Sequence, residues 1–148
     1  MDRKSRVLFL CTHNAARSQM AEGILRNLSY GTVDVFSAGT EPTEVHPLAV
    51  QALREMAIDI GGQRSKHVGE FAGQAFDFVV TLCDSARELC PVFPGDPERI
   101  HWSFPDPGAV EGTEFERLRA FKRTATELTM RLRSFFTLIE RGAKRSPA

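Results

Sequence analysis

Val7-Leu8-Phe9-Leu10-Cys11-Thr12-His13-Asn14-Ala15-Ala16-Arg17-Ser18 runs from four consecutive apolar residues through a thiol and a short polar loop to an arginine. An unbroken apolar run that stops at a loop reads as a parallel strand buried on both faces. Helical spacing starts directly afterwards, with Met20, Ile24, Leu25 and Leu28 on one side. Ser18 reads as the N-cap of that helix, with Glu22 near its first turn. A strand, a loop that begins with a cysteine and a helix that begins with an arginine can hold a tetrahedral oxyanion against a nucleophile. Loop amides and the helix N-terminus attract the anion, and a guanidinium grips two of its oxygens. The same field favours the thiolate, which is the reactive form of cysteine. Cys11 is therefore the candidate nucleophile, and Thr12, His13, Asn14, Ala15, Ala16, Arg17 and Ser18 form the candidate oxyanion loop. His13 is expected with its ring pointing outward.

Strands and helices alternate on either side of this stretch. Strands are expected over residues 6–10, 33–37, 78–82 and 99–102, and helices over 18–28, 47–56, 84–89 and 113–141. His46-Pro47 opens the second helix, whose Leu48, Ala49, Ala52, Leu53 and Met56 face inward. Phe115, Leu118, Phe121, Ala125, Leu128, Leu132, Phe135 and Ile139 recur at three- and four-residue steps in the last. Its other face is charged and reads as solvated. Repeated βαβ units imply an α/β fold: a three-layer sandwich with a four-stranded parallel sheet and helices on both faces, in a single domain over 1–148. Such sheets bind ligands beyond the carboxyl ends of their strands, where Cys11 falls.

The 148 residues are 42% hydrophobic and 26% charged, with zero formal net charge. That balance excludes nucleic acid and anionic membrane as main partners. With no long apolar stretch and no signal-peptide cleavage pattern after Met1, the expected location is the cytoplasm. The basic tail from Gly142 is expected to fray, and a monomer is the default. Three cysteines do not make a disulfide framework, and in a cytosolic chain they suggest redox or nucleophilic chemistry. The histidines show no metal-ligand spacing, so no metal is expected.

Phe78–Leu82 leads into Cys83 as Val7–Leu10 leads into Cys11, so parallel pairing would put both thiols at one sheet edge. Cys90 follows seven residues later. Along an unbroken helix that is about 10.5 Å of rise, whereas a disulfide needs Cα atoms roughly 5.5–6 Å apart. The pair can bond only if the segment unwinds. Pro91 and the short helix favour unwinding. Two unrelated buried thiols are the alternative on these residues alone. Asp106, between Pro105 and Pro107, sits on a stiff turn from which a carboxyl group could act as a general acid, or could simply form the turn.

Taken in order, Cys11-Thr-His-Asn-Ala-Ala-Arg17-Ser18, Ser37-Ala38-Gly39, Thr81-Leu82-Cys83, Cys90-Pro91 and His101-Trp102-Ser-Phe-Pro-Asp106-Pro107 resemble the thioredoxin-coupled arsenate reductases. These share the fold of the low-molecular-weight protein tyrosine phosphatases. The resemblance implies that Cys11 attacks arsenate, Arg17 holds its oxygens, Ser18 donates a hydrogen bond to the Cys11 thiolate, Asp106 protonates the departing oxygen, and Cys83 and then Cys90 resolve the adduct for thioredoxin. It implies no bound cofactor, because thiol exchange carries both electrons. A phosphatase acting through a phosphocysteine is the alternative. Phosphatases of this fold usually carry two aromatic residues after the Asp-Pro pair, where this chain has Gly108 and Ala109.

Some relatives bind potassium beside the loop through residues matching Asn14, Glu22 and Ser37 plus an aspartate. Lys66 falls at the aspartate's position. Its ammonium would repel a cation, so Lys66 is expected to take the ion's place and pair with Glu22. A solvated surface charge is the alternative.

Overall fold

A computed structural model describes residues 3–145. Its sheet has four parallel strands, β1 (Ser5–Cys11), β2 (Val33–Gly39), β3 (Phe78–Thr81) and β4 (Glu98–His101), in the order β2-β1-β3-β4. Central β1 is shielded on both faces, with Val7, Leu8, Phe9 and Leu10 fully buried. That burial is what its unbroken apolar run requires.

Register assigns the faces. Val7, Val35 and Phe78 share one level of the sheet, and the Phe78 ring meets Phe135 edge to face at 5.2 Å. This face carries α1 (Arg17–Ser29) and α4 (Glu114–Arg145), with α2 (Pro47–Arg54) packed on α4. Leu8, Phe36, Val79 and Arg99 share the next level and point the other way. There Phe36, Phe71, Phe76 and Phe93 form edge-to-face contacts at 5.5–5.9 Å, roofed by the 3₁₀ turn Val68–Phe71. The short α3 (Asp84–Glu88) lies in the β3–β4 connection. The sheet and its two covered faces match the architecture read from the sequence.

Four local expectations need correction. Ser18 is not an N-cap: α1 starts one residue earlier, its N-cap is Ala16, and no side chain caps it. Met56 lies past the end of α2 and is 37% exposed rather than inward-facing. Phe115 is 69% exposed, because the apolar stripe of α4 meets the core only from its second turn. Thr113 starts that helix with reciprocal hydrogen bonds to Glu116, a capping box the apolar spacing does not reveal. The helix continues through Arg145, beyond the expected end at 141, and the rest of the tail lies outside the described residues.

Candidate active site

Cys11 is the last residue of β1, and α1 starts at Arg17, so residues 12–16 must turn the chain tightly. Asn14 makes the turn with φ = 49°, a left-handed conformation that asparagine tolerates better than most residues. The loop carbonyls are held from outside. Thr12 O accepts from Glu41 N at 2.8 Å, His13 O from Thr43 N at 3.1 Å and Ala15 O from His46 N at 2.9 Å. Asn14 O accepts from Ser65 Oγ at 2.7 Å. In a planar trans peptide the N–H points opposite to the C=O. Four outward carbonyls therefore turn the amides of residues 13–16 toward the other side, and the uncapped N-terminus of α1 adds its own donors.

Cys11, Arg17 and Asp106 line one cavity of about 230 Å³, with His13, Thr43 and His46 on its wall. Arg17 Nη1 donates to the Phe104 carbonyl at 2.9 Å, which ties the helix start to the turn carrying Asp106. Asp106 Oδ1 accepts from Gly108 N at 2.9 Å and caps a 3₁₀ turn, and the residue also lines the cavity that holds Cys11 and Arg17. His13 is half exposed, with its ring 3.9 Å from Glu41.

A buried chain of hydrogen bonds runs behind Cys11. Asn14 Oδ1 accepts from Lys66 N and from Gln19 Nε2, both at 2.9 Å, which fixes its amide orientation. Its Nδ2 then donates to Ser18 Oγ at 2.8 Å and to Ser37 Oγ at 3.0 Å. Ser37 Oγ donates onward to Glu22 Oε1 at 2.6 Å. Ser18 Oγ, already accepting from Asn14, lies 2.8 Å from Cys11 Sγ with its own proton left to donate. Ser18 thus serves the sulfur rather than the helix end.

Glu22 ends this chain between two cations. Arg26 Nη2 lies 2.5 Å from Oε2, and Lys66 Nζ lies 3.7 Å from Oε1. The Lys66 side chain is 13% exposed and Nζ donates to the Arg64 carbonyl at 2.9 Å, so it is not a solvated surface charge. Burial lowers its pKa, and attraction to Glu22 opposes that shift.

Cys83 is the N-cap residue of α3, and its sulfur lies 3.3 Å from Thr12 Oγ1. The second thiol therefore touches the residue next to Cys11. Cys90 lies past the end of α3, half buried, with its sulfur 3.0 Å from Arg99 Nη1. All three cysteines are free. Among the described residues, no group of three or more His, Cys, Asp or Glu is arranged to hold a metal ion. No described helix is long and apolar enough to cross a membrane.

Thr43 and His46 were missed by the sequence reading. Both act on the loop through backbone N–H groups, which leave no side-chain signature. His46 Nδ1 also caps α2 by accepting from Leu48 N at 3.1 Å, so that nitrogen is unprotonated. Burial, then the nearby Arg117, lowers its pKa, and Asp106 partly opposes them.

A cysteine and an arginine across an amide-lined loop, at the carboxyl edge of a parallel sheet, define a thiol-based oxyanion site. The chain belongs to the low molecular weight phosphotyrosine protein phosphatase family, whose profile matches residues 6–145. It is 43% identical over 132 residues to the arsenate reductase of Halalkalibacterium halodurans, which covers 89% of this chain and 95% of that relative. It superposes on a solved arsenate reductase in its oxidized state with TM-score 0.79 and 30% identity, covering 91% of this chain and 98% of that one. A thioredoxin-dependent arsenate reductase from Corynebacterium glutamicum gives TM-score 0.73 at 28% identity, over 95% of this chain and 64% of that one.

Proposed function

We propose that this protein reduces arsenate to arsenite in the cytoplasm through Cys11, Cys83 and Cys90, with thioredoxin as the electron donor. The observation that carries the reading is the Cys83 sulfur 3.3 Å from Thr12 Oγ1: a second thiol at the rim of the oxyanion loop. Hydrolysis by such a loop needs one cysteine, whereas reduction needs a second within reach of the first. The arsenate reductases among its relatives support the same activity.

The steps are those that the resemblance to arsenate reductases implies for these residues. Cys11 thiolate attacks arsenic(V), and Asp106 protonates the oxygen that leaves as water. Loop amides and Arg17 hold the remaining oxygens and stabilise the charge that develops on them. Cys83 thiolate then attacks Cys11 Sγ. The S–S bond forms, the S–As bond breaks, and its electron pair stays on arsenic, which leaves as arsenite. Cys90 attacks Cys83 Sγ and expels Cys11 as thiolate. A thioredoxin dithiol reduces the resulting Cys83–Cys90 disulfide. A relay of reduced thiols suits a reducing compartment, and no step requires a bound cofactor.

Potassium does not fit beside this loop. Glu22 is already flanked by Arg26 and Lys66, and a third cation there would be repelled. Lys66 holds the position a cation would take, and the chain of Ser37, Asn14 and Ser18 carries that fixed arrangement to Cys11.

The family match also supports phosphomonoester hydrolysis as a second activity of the same loop. The turn after Asp106 is Pro107–Ala109, which offers no aromatic platform for a phosphotyrosine ring. The deciding experiment is arsenate-dependent NADPH oxidation coupled through thioredoxin and thioredoxin reductase, run beside para-nitrophenyl phosphate hydrolysis. Cys83→Ser should abolish the first and spare the second. Arsenate turnover that survives in Cys83→Ser refutes the relay.

A further inference from the structure

Two side chains of β4 grip the two ends of the 83–91 segment. Arg99 and His101 are two residues apart on one strand and share a face. His101 bridges Thr81 Oγ1 at 2.7 Å and Asp84 Oδ1 at 3.0 Å, fixing the start of α3 beside Cys83. Arg99 holds the far end: Nη1 donates to Cys90 Sγ at 3.0 Å and Nη2 to the Pro91 carbonyl at 3.1 Å. Leu89 is 60% and Val92 91% exposed, and a cavity of about 270 Å³ opens between Cys90 and the strand residues Val79 and Thr81.

We infer that Arg99 is a positioning residue for Cys90, a latch closed in the reduced protein and released when Cys83 and Cys90 join. The inference rests on the relay proposed above. Cys83 and Cys90 flank α3 at opposite ends with separate partners, Thr12 Oγ1 for one sulfur and Arg99 Nη1 for the other, and both thiols are free, whereas a disulfide brings the two sulfurs to about 2.05 Å. Cys90 must therefore leave its place beside Arg99. The guanidinium fork, which grips sulfur and carbonyl together, favours the dithiol form only. An interaction confined to the reduced form makes the disulfide a stronger oxidant. The latch thus keeps the third thiol parked until it is needed, and drives the finished disulfide toward the external reductant.

The test equilibrates the Cys11→Ser chain with mixtures of oxidised and reduced dithiothreitol. Cys83 and Cys90 give up two electrons and two protons, forming one S–S bond, while the cyclic disulfide of the reagent opens to its dithiol. Trapped thiols are counted by mass spectrometry of the alkylated peptides. Adding Arg99→Met should shift the midpoint about tenfold toward the protein disulfide, roughly 30 mV. Arg99→Lys, which keeps the charge without the fork, should fall between, and it guards against misfolding of the methionine variant. In the otherwise native chain, Arg99→Met should leave the single-turnover release of arsenite unchanged, because that step uses only Cys11 and Cys83. Equal midpoints for Arg99, Arg99→Met and Arg99→Lys overturn the latch while leaving the relay standing. A Cys83–Cys90 disulfide that forms at no dithiothreitol ratio overturns the relay and the latch together.

Discussion

Ser18 Oγ lies 2.8 Å from Cys11 Sγ and accepts a hydrogen bond from Asn14, so its single proton is directed at the sulfur. The direction of that bond is set by Asn14, whose Oδ1 accepts from Lys66 N and Gln19 Nε2 and whose Nδ2 therefore faces Ser18 and Ser37. Glu22 agrees with that orientation: a carboxylate can only accept, so Ser37 donates to it and keeps its oxygen free to accept from Asn14.

Ser18→Ala removes the donor while leaving the loop backbone unaltered. A hydrogen bond to a charged group contributes about 1.5–3 kcal/mol, so the single-turnover rate with arsenate should fall on the order of 10- to 100-fold. Rapid-quench measurement of arsenite release checks this. A rate within twofold of the parent would mean that the proton serves another acceptor.

Lys66→Asp tests whether the ammonium stands in for a cation. The parent enzyme should turn over equally in potassium and sodium chloride at one ionic strength. In the variant, two carboxylates face each other with only Arg26 to balance them. Activity should then fall severalfold in sodium and recover in potassium. Steady-state rates across the two salts decide it, and a parent enzyme that responds specifically to potassium would contradict the role assigned to Lys66.

The sheet and the strand–loop–helix around Cys11 were legible because both are local patterns. An apolar run, a thiol, an arginine and a helical repeat follow one another within Val7–Leu28. The Lys66–Glu22 pair was accessible through family resemblance alone, since 44 residues separate them and no periodicity connects them. Ser18 reads as an N-cap by type, and its bond to Cys11 was likewise accessible through the resemblance alone. Two kinds of feature stayed hidden. Backbone donors such as Thr43 N and His46 N carry no residue-type signal. Arg99 is one of many surface arginines until β4 pairing places it beside Cys90.

Asp77 gives a stability test that depends on pH. Its carboxylate accepts from Arg3 Nη1 and Nη2 at 2.8 and 2.7 Å, and from the backbone N–H of Arg6 at 2.7 Å, just ahead of β3. The Arg3 hydrogen bond, and then the Arg6 amide, hold its pKa below the usual carboxylate value against the opposing effect of burial. A depressed folded-state pKa stabilises the fold above the unfolded value of about 3.9. That contribution is lost as pH falls through the folded-state value. Arg3 is 73% exposed, so its share is screened by salt, while the bond to the Arg6 amide persists. Asp77→Asn should cost about 1–2 kcal/mol at pH 7. The difference from the parent in urea denaturation should shrink to near zero at the acid end, and a gap independent of pH would assign the effect to packing.

Gly39 closes β2 against the catalytic loop, and that contact leaves no room for a side chain. A Cβ built there would lie 2.5 Å from Thr12 O, 2.9 Å from Asn14 N and 3.0 Å from Cys11 O, all backbone atoms that cannot rotate away. Its own N–H donates to the Lys66 carbonyl at 2.8 Å, so β2 cannot shift without releasing the segment that carries Lys66 as well. Gly39→Ala must therefore push residues 12–14 off their positions. A displacement near 1 Å of groups that bind the reacting anion costs on the order of 100-fold in rate. Arsenate turnover and para-nitrophenyl phosphate hydrolysis should fall together, because both use the loop, whereas Cys83→Ser should separate them. Equal and large losses in the two assays, with a folded protein by circular dichroism, place the damage in the oxyanion loop. Loss of one activity alone would show that the loop tolerates the methyl group.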